Sequence, residues 1–78
     1  MNKTVKVYST PTSPYCIRAK QFLKENNVVF DDIDVSTDQA KAQEMINRSG
    51  QMGVPVIDID GVIIVGFDKD KIKETLGI

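Results

Sequence analysis

Residues 10–20, TPTSPYCIRAK, hold the change of period that decides the fold. Just before them, residues 3–9 (KTVKVYS) alternate through Val5 and Val7, the two-residue repeat of a half-buried strand. Pro11 and the Thr/Ser cluster stop that strand. From Pro14 onward Tyr15, Ala19, Phe22 and Leu23 fall at helical spacing, while Arg18, Lys20, Gln21, Lys24 and Glu25 take the other face. Serine is a favoured N-cap and proline a favoured first helical residue, so Ser13-Pro14 opens the helix. Within the same stretch lies Cys16, the one cysteine of the chain.

The rest of the chain extends this pattern. Asn26-Asn27 ends the first helix, and residues 28–35 (VVFDDIDV) return to strand chemistry with Val29, Ile33 and Val35 expected inward. In STDQAKAQEMINRSG, one of Ser36, Thr37 or Asp38 caps a second helix, and Ala42, Met45 and Ile46 line its apolar side. Arg48 lies in its last turn, where a cation suits the helix dipole, and Gly50 follows as the C′ glycine. VPVIDIDGVIIVG holds two short β-rich runs around Asp60-Gly61, a strong hairpin signal. Asp68 then precedes a short helix, KDKIKETL, with Ile72 and Leu76 inward. The order β-α-β-α-β-β-α predicts a four-stranded mixed sheet with three helices: the first two strands parallel, the last pair antiparallel.

Seventy-eight residues make a single domain, 1–78, with no linker, repeat or low-complexity segment. The chain has 41% apolar and 27% charged residues, the balance of a soluble globular protein. A net charge of −1 gives no basic field, which argues against nucleic acid as a partner. A lone cysteine cannot form an internal bridge and fits a reducing, cytoplasmic setting. MNKTVKVYS has neither a long apolar stretch nor a cleavage pattern, so no leader and no membrane span are expected. No metal-ligand cluster is evident. With no histidine, Ser-His and Cys-His catalytic pairs are excluded.

Ser13 and Cys16 admit two readings. In the plain one, Ser13 is a cap and Cys16 a small apolar filler. In the other, the cap position faces the unpaired N–H groups of the first turn, where a thiol is pushed toward thiolate, the form that attacks disulfides. Cys16, one turn further in, would then be a resolving sulfur. A serine hydroxyl in the attacking seat is too weak an acid to ionise.

At this point the residues become recognisable. TPTSPYCIRAK resembles the glutaredoxin pattern T-x-C-P-Y-C-x-[RK]-A-K at every position but Ser13. EMINRSGQMGVPVIDIDG is similar to that family's second helix, its loop to a cis-proline and its third strand, and IIVGFDKDKI resembles the Gly-x-Asp segment that opens the last helix. The resemblance covers nearly the whole chain, in order, and implies a thioredoxin-like α/β fold. It places the family's nucleophilic cysteine at Ser13 and its resolving cysteine at Cys16. Tyr15 would lie beside the bound thiol compound, and the backbone of Val54, before a cis Pro55, would pair with the cysteinyl part of glutathione. Gly66, Phe67 and Asp68 would hold the γ-glutamyl end. Without the resemblance, the favoured reading of Pro55 is the entry residue of an edge strand, and Asp68 reads equally as an ordinary N-cap. At the glycyl end, Thr10 and Gln51 stand where basic residues are common in the family, with Arg18 and Lys20 as possible substitutes.

The activity implied is glutathione-dependent reduction of mixed and protein disulfides by a monomer, with glutathione as co-substrate and no tightly bound cofactor. Three accounts of Ser13 compete: a substituted form of a dithiol or selenol enzyme, a natural paralogue without attack chemistry, or a protein in which Cys16 works alone. The intact Pro-Tyr-Cys, Val-Pro and Gly-Phe-Asp segments favour the first, an impaired variant of a cysteine- or selenocysteine-containing parent. Two alternatives come from other classes: a glutaredoxin-like electron donor recharged by thioredoxin reductase, and a non-enzymatic module binding glutathione and an iron–sulfur cluster.

Overall fold

The computed structural model describes residues 3–78. The reading of the first two residues as part of a leader-free start lies outside them. Four strands, β1 (Val5–Ser9), β2 (Asp31–Asp34), β3 (Val56–Ile59) and β4 (Val62–Val65), alternate with three helices, α1 (Pro14–Glu25), α2 (Gln39–Ser49) and α3 (Lys69–Leu76), in the expected β-α-β-α-β-β-α order. The sheet runs β2-β1-β3-β4. β1 pairs with β2 in parallel and with β3 antiparallel, and β3 pairs antiparallel with β4. Asp60 and Gly61 both have positive φ, 49° and 92°, as a tight primed turn between β3 and β4 requires.

Both faces of the sheet are covered. Val5, Val7, Ile57, Ile59 and Ile64 point to the side closed by Ala19 and Leu23 of α1 and Ile72 of α3. Tyr8 and Val56 point to the other side, closed by Met45 of α2. This two-sided burial explains why β3 is buried at all four positions, including Asp58. That carboxylate faces α2, where Arg48 meets it at 2.7 Å, and its other oxygen accepts the Gly61 N–H at 2.8 Å. Arg48 thus holds a specific partner besides its place in the last helical turn. Asp38 is the α2 cap, accepting from the Lys41 N–H, and Gly50 closes the helix in the left-handed conformation. Among the described residues no helix is long and apolar enough to cross a membrane.

Two expected core positions are elsewhere. Val29 is 89% exposed. It shares the parity of Ile33 and Val35, which do pack on the α2 side, but it precedes the paired strand and nothing packs on it there. Asn27 at φ 58° turns the chain so that Val28 and Phe30 instead join the α1–α3 cluster. Tyr15 is 58% exposed and is no part of the core.

Candidate active site

The register of the sheet gathers the separate segments at one end. β1 runs towards residues 10–13. Because β3 is antiparallel to it, with Tyr8 opposite Val56, the Val54-Pro55 pair emerges beside the end of β1. Because β4 reverses again, with Val65 opposite Val56, Gly66–Asp68 emerge at that same end. A direct bond ties two of these segments: the Gly66 N–H donates to the Pro55 carbonyl at 2.8 Å. The Val54-Pro55 peptide bond is cis, as the resemblance implied. A concavity of about 600 Å³ lies at the opposite end of the sheet, against Lys3, Val5, Val28, Phe30 and Leu76, and is remote from this constellation.

Ser13 is the N-cap of α1, extended at φ −79° and ψ 124°, with Pro14 in the first turn. The plain reading of Ser13 as the cap residue therefore holds in position, although its side chain makes no capping bond. Ser13 as a residue is half-buried and its hydroxyl unengaged, at the positive end of a helix whose first turn contains no acid. Cys16 is fully buried one turn further in. Tyr15 stands out between them, with the Arg18 guanidinium 5.7 Å from its ring centroid. Tyr15 is exposed, whereas Cys16 is closed to solvent.

Val54 is half-buried and rests on the Tyr8–Met45–Val56 cluster, which fixes the level of its backbone. Phe67 packs its ring on Phe22 at 5.9 Å between centroids, so its side chain anchors the segment. With the Gly66 N–H taken by Pro55, the backbone donors left in the segment are those of Phe67 and Asp68, which have no protein acceptor among the described residues. Asp68 is exposed and caps α3, accepting the Lys71 N–H at 3.2 Å. One carboxylate therefore serves the cap and faces solvent, so the two readings of Asp68 are compatible.

The side chains named for the far end are otherwise employed. Lys20 bridges to Asp32 at 3.1 Å, and Asp32 also accepts from the buried Ser9 hydroxyl at 2.9 Å. The Gln51 amide turns back to donate to the Gly53 carbonyl at 3.1 Å. Sequence reasoning also missed Tyr8, whose hydroxyl donates to Glu44 on α2 at 2.5 Å. Burial, followed by this bond, holds the Tyr8 hydroxyl above its ordinary pKa, while the same bond pulls the Glu44 carboxyl below its own. The partners are thirty-six positions apart, so no local spacing announces them.

A four-stranded mixed sheet between one helix and two, in this strand order, defines a thioredoxin-like α/β protein. The fold matches that of a mutant of the thioredoxin-like protein BC3987, with a TM-score of 0.91, 33% identity and 96% of each chain covered. The sequence profile of the glutaredoxins matches residues 5–64, and the chain belongs to the glutaredoxin family. It is 49% identical over 72 residues to an uncharacterized glutaredoxin-like 8.6 kDa protein of the rubredoxin operon of Clostridium pasteurianum, covering 92% of this chain and 96% of that one. Glutaredoxin 3 of Escherichia coli K12 is 44% identical over 64 residues, 82% of this chain and 77% of the relative. A buckwheat glutaredoxin solved as a glutathione complex shares the fold, with a TM-score of 0.77, 24% identity, and 96% and 71% of the two chains covered.

Proposed function

We propose that this chain has the architecture of a glutathione-dependent thiol–disulfide oxidoreductase acting on mixed and protein disulfides, and that Ser13 occupies its attacking seat. The single observation that carries the reading is the pairing of an unengaged serine hydroxyl at the α1 cap with a fully buried cysteine one turn behind it. With sulfur or selenium at position 13, the chalcogenolate attacks the glutathionyl sulfur of a mixed disulfide. The old S–S bond breaks, the substrate leaves as thiolate and takes up a proton, and glutathione stays bonded to the enzyme. A second glutathione thiolate then attacks that sulfur, releasing glutathione disulfide and restoring the anion. On a protein disulfide, Cys16 cleaves the enzyme–substrate bond, and two glutathiones reduce the resulting internal link. The Val54 backbone would hold the cysteinyl unit, Asp68 the γ-glutamyl ammonium, and the Phe67 and Asp68 amides its carboxylate. Tyr15 would cover the sulfur.

As written, the chain lacks the first nucleophile and should barely turn over. The Ser13→Cys form tests this in a mixed-disulfide reduction assay with glutathione as reductant. A gain of orders of magnitude is expected, as for restoring an obligatory nucleophile. Equal rates in the two forms would place the chemistry on Cys16 or nowhere.

A further inference from the structure

Between the end of α2 at Ser49 and the start of β3 at Val56 the chain forms neither helix nor strand, and Met52 and Gly53 are exposed. The bonds before Val54 are local: the Gln51 N–H meets the Ser49 hydroxyl at 3.3 Å, and the Gln51 side chain donates to the Gly53 carbonyl at 3.1 Å. Support for Val54 from elsewhere in the chain comes through its side chain, which packs on Tyr8, Met45 and Val56. Val56 is fixed by its strand partners, Tyr8 on one side and Val65 on the other. Met45 instead rides on α2, so its place under Val54 depends on where that helix sits. Glu44, the residue before Met45, accepts the Tyr8 hydroxyl at 2.5 Å. Arg48, one turn further on, pairs with Asp58 at 2.7 Å and is close enough to the same hydroxyl to oppose the rise in its pKa. Tyr8 therefore supports Val54 twice. Its ring forms one wall of the contact, and its hydroxyl holds the helix that brings the other.

We infer that Tyr8 is a positioning residue for the proposed thiol site: by its ring and its bond to Glu44 it sets the level at which Val54 presents its backbone. Fully buried, it does so without touching the ligand. The ligand role of Val54 rests on the reading under Proposed function, whereas the tether from Tyr8 to α2 does not.

Tyr8→Phe keeps the ring and removes the bond; Glu44→Ala removes the acceptor, and Glu44→Gln keeps one. Ile59→Val, at the far end of β3 in the other core, is the control for a loss of stability alone. With Ser13 in place, backbone nitrogen relaxation should give the Val54 amide a lower order parameter in Tyr8→Phe and Glu44→Ala, and an unchanged one in Glu44→Gln and Ile59→Val. In the Ser13→Cys background, Tyr8→Phe and Glu44→Ala should each raise KM for a glutathionyl mixed disulfide by about threefold to tenfold, the net worth of an ordinary hydrogen bond, with kcat within about twofold. Combining the two should add nothing further, because both remove the same bond. A KM unmoved by Tyr8→Phe, or moved as far by Ile59→Val, overturns the inference. An inactive Ser13→Cys form defeats the parent reading instead. The relaxation data then decide alone, and a Val54 amide as rigid in Tyr8→Phe as in the unaltered chain overturns the tether.

Discussion

At Ser13 one atom separates the hydroxyl present from the sulfur we propose for this position. The backbone gives the seat its electrostatics: an extended cap, a proline without a donor, and a first turn free of acids. The Ser13→Cys thiol should therefore titrate below the ordinary cysteine value of about 8.5. Thiolate absorbance followed against pH measures it, and adding Tyr15→Asp should move the midpoint back up by placing an anion in the same turn. An unshifted thiol would remove the physical basis for attack from this position. A second residue-scale prediction concerns the Asp58 carboxylate, 6% exposed and dependent on Arg48 for its charge partner. Arg48→Met leaves that anion buried and unpaired, at a cost of about 2–3 kcal/mol; this is less than for a fully enclosed pair, because the Arg48 side chain is 35% exposed. Urea unfolding of Arg48→Met and of the Arg48→Met/Asp58→Asn pair checks it. The double variant should recover much of the loss, and a double variant no better than the single would assign the cost to lost packing of the arginine stem.

At the scale of elements, α2 is held to the sheet by small apolar contacts and by polar ones reaching across it, Tyr8 to Glu44 and Arg48 to Asp58. The Tyr8–Glu44 bond gives this helix a pH window. Glu44 titrates below its ordinary 4.5 in the folded chain, so its contribution is present above that value and is lost as pH falls through the folded pKa. Tyr8 titrates above 10.0, so its contribution is present below that value and is lost as pH rises through the folded pKa. Tyr8→Phe should flatten both limbs of stability against pH, which thermal unfolding across the two ranges measures; unchanged limbs would assign the pH dependence to other groups. Most element boundaries were legible in the sequence because they are written in local chemistry: Ser13-Pro14, Asp38, Gly50, Asp60-Gly61 and Asp68 each act within a few residues. The α2 clamps were not legible, because their partners meet only after the chain has crossed the sheet. Val29 was misread because strand parity assigns a face and cannot tell where that face stops being covered. Within the candidate site, periodicity supplied the cap and the buried thiol, whereas the cis bond and the gathering of residues 54–55 with 66–68 followed from resemblance and became geometry only through strand register.

Over the whole molecule, one thin sheet carries two cores of unequal size. Among the described residues the α1–α3 cluster holds eight buried apolar residues and the α2 cluster three, and β1 and β3 contribute to both. A chain of 78 residues has a total stability of about 4–12 kcal/mol, so the loss of one large side chain is a sizeable fraction of it. Leu23 is fully buried in the larger core, and Leu23→Ala should cost about 3–5 kcal/mol, because helix and strands on three sides cannot all collapse into the gap. Met45 is 2% exposed in the smaller core, where flexible and partly buried neighbours can close in, and Met45→Ala should cost about 2–3 kcal/mol. Shared strands predict that both variants still unfold in a single transition, since neither face can persist after the other has released β1 and β3. Denaturation followed together by far-ultraviolet circular dichroism and tyrosine fluorescence separates the possibilities. Coincident curves with lowered midpoints fit one cooperative unit, whereas an early fluorescence change confined to Met45→Ala would mean that α2 comes away alone and takes the support of the Val54-Pro55 loop with it.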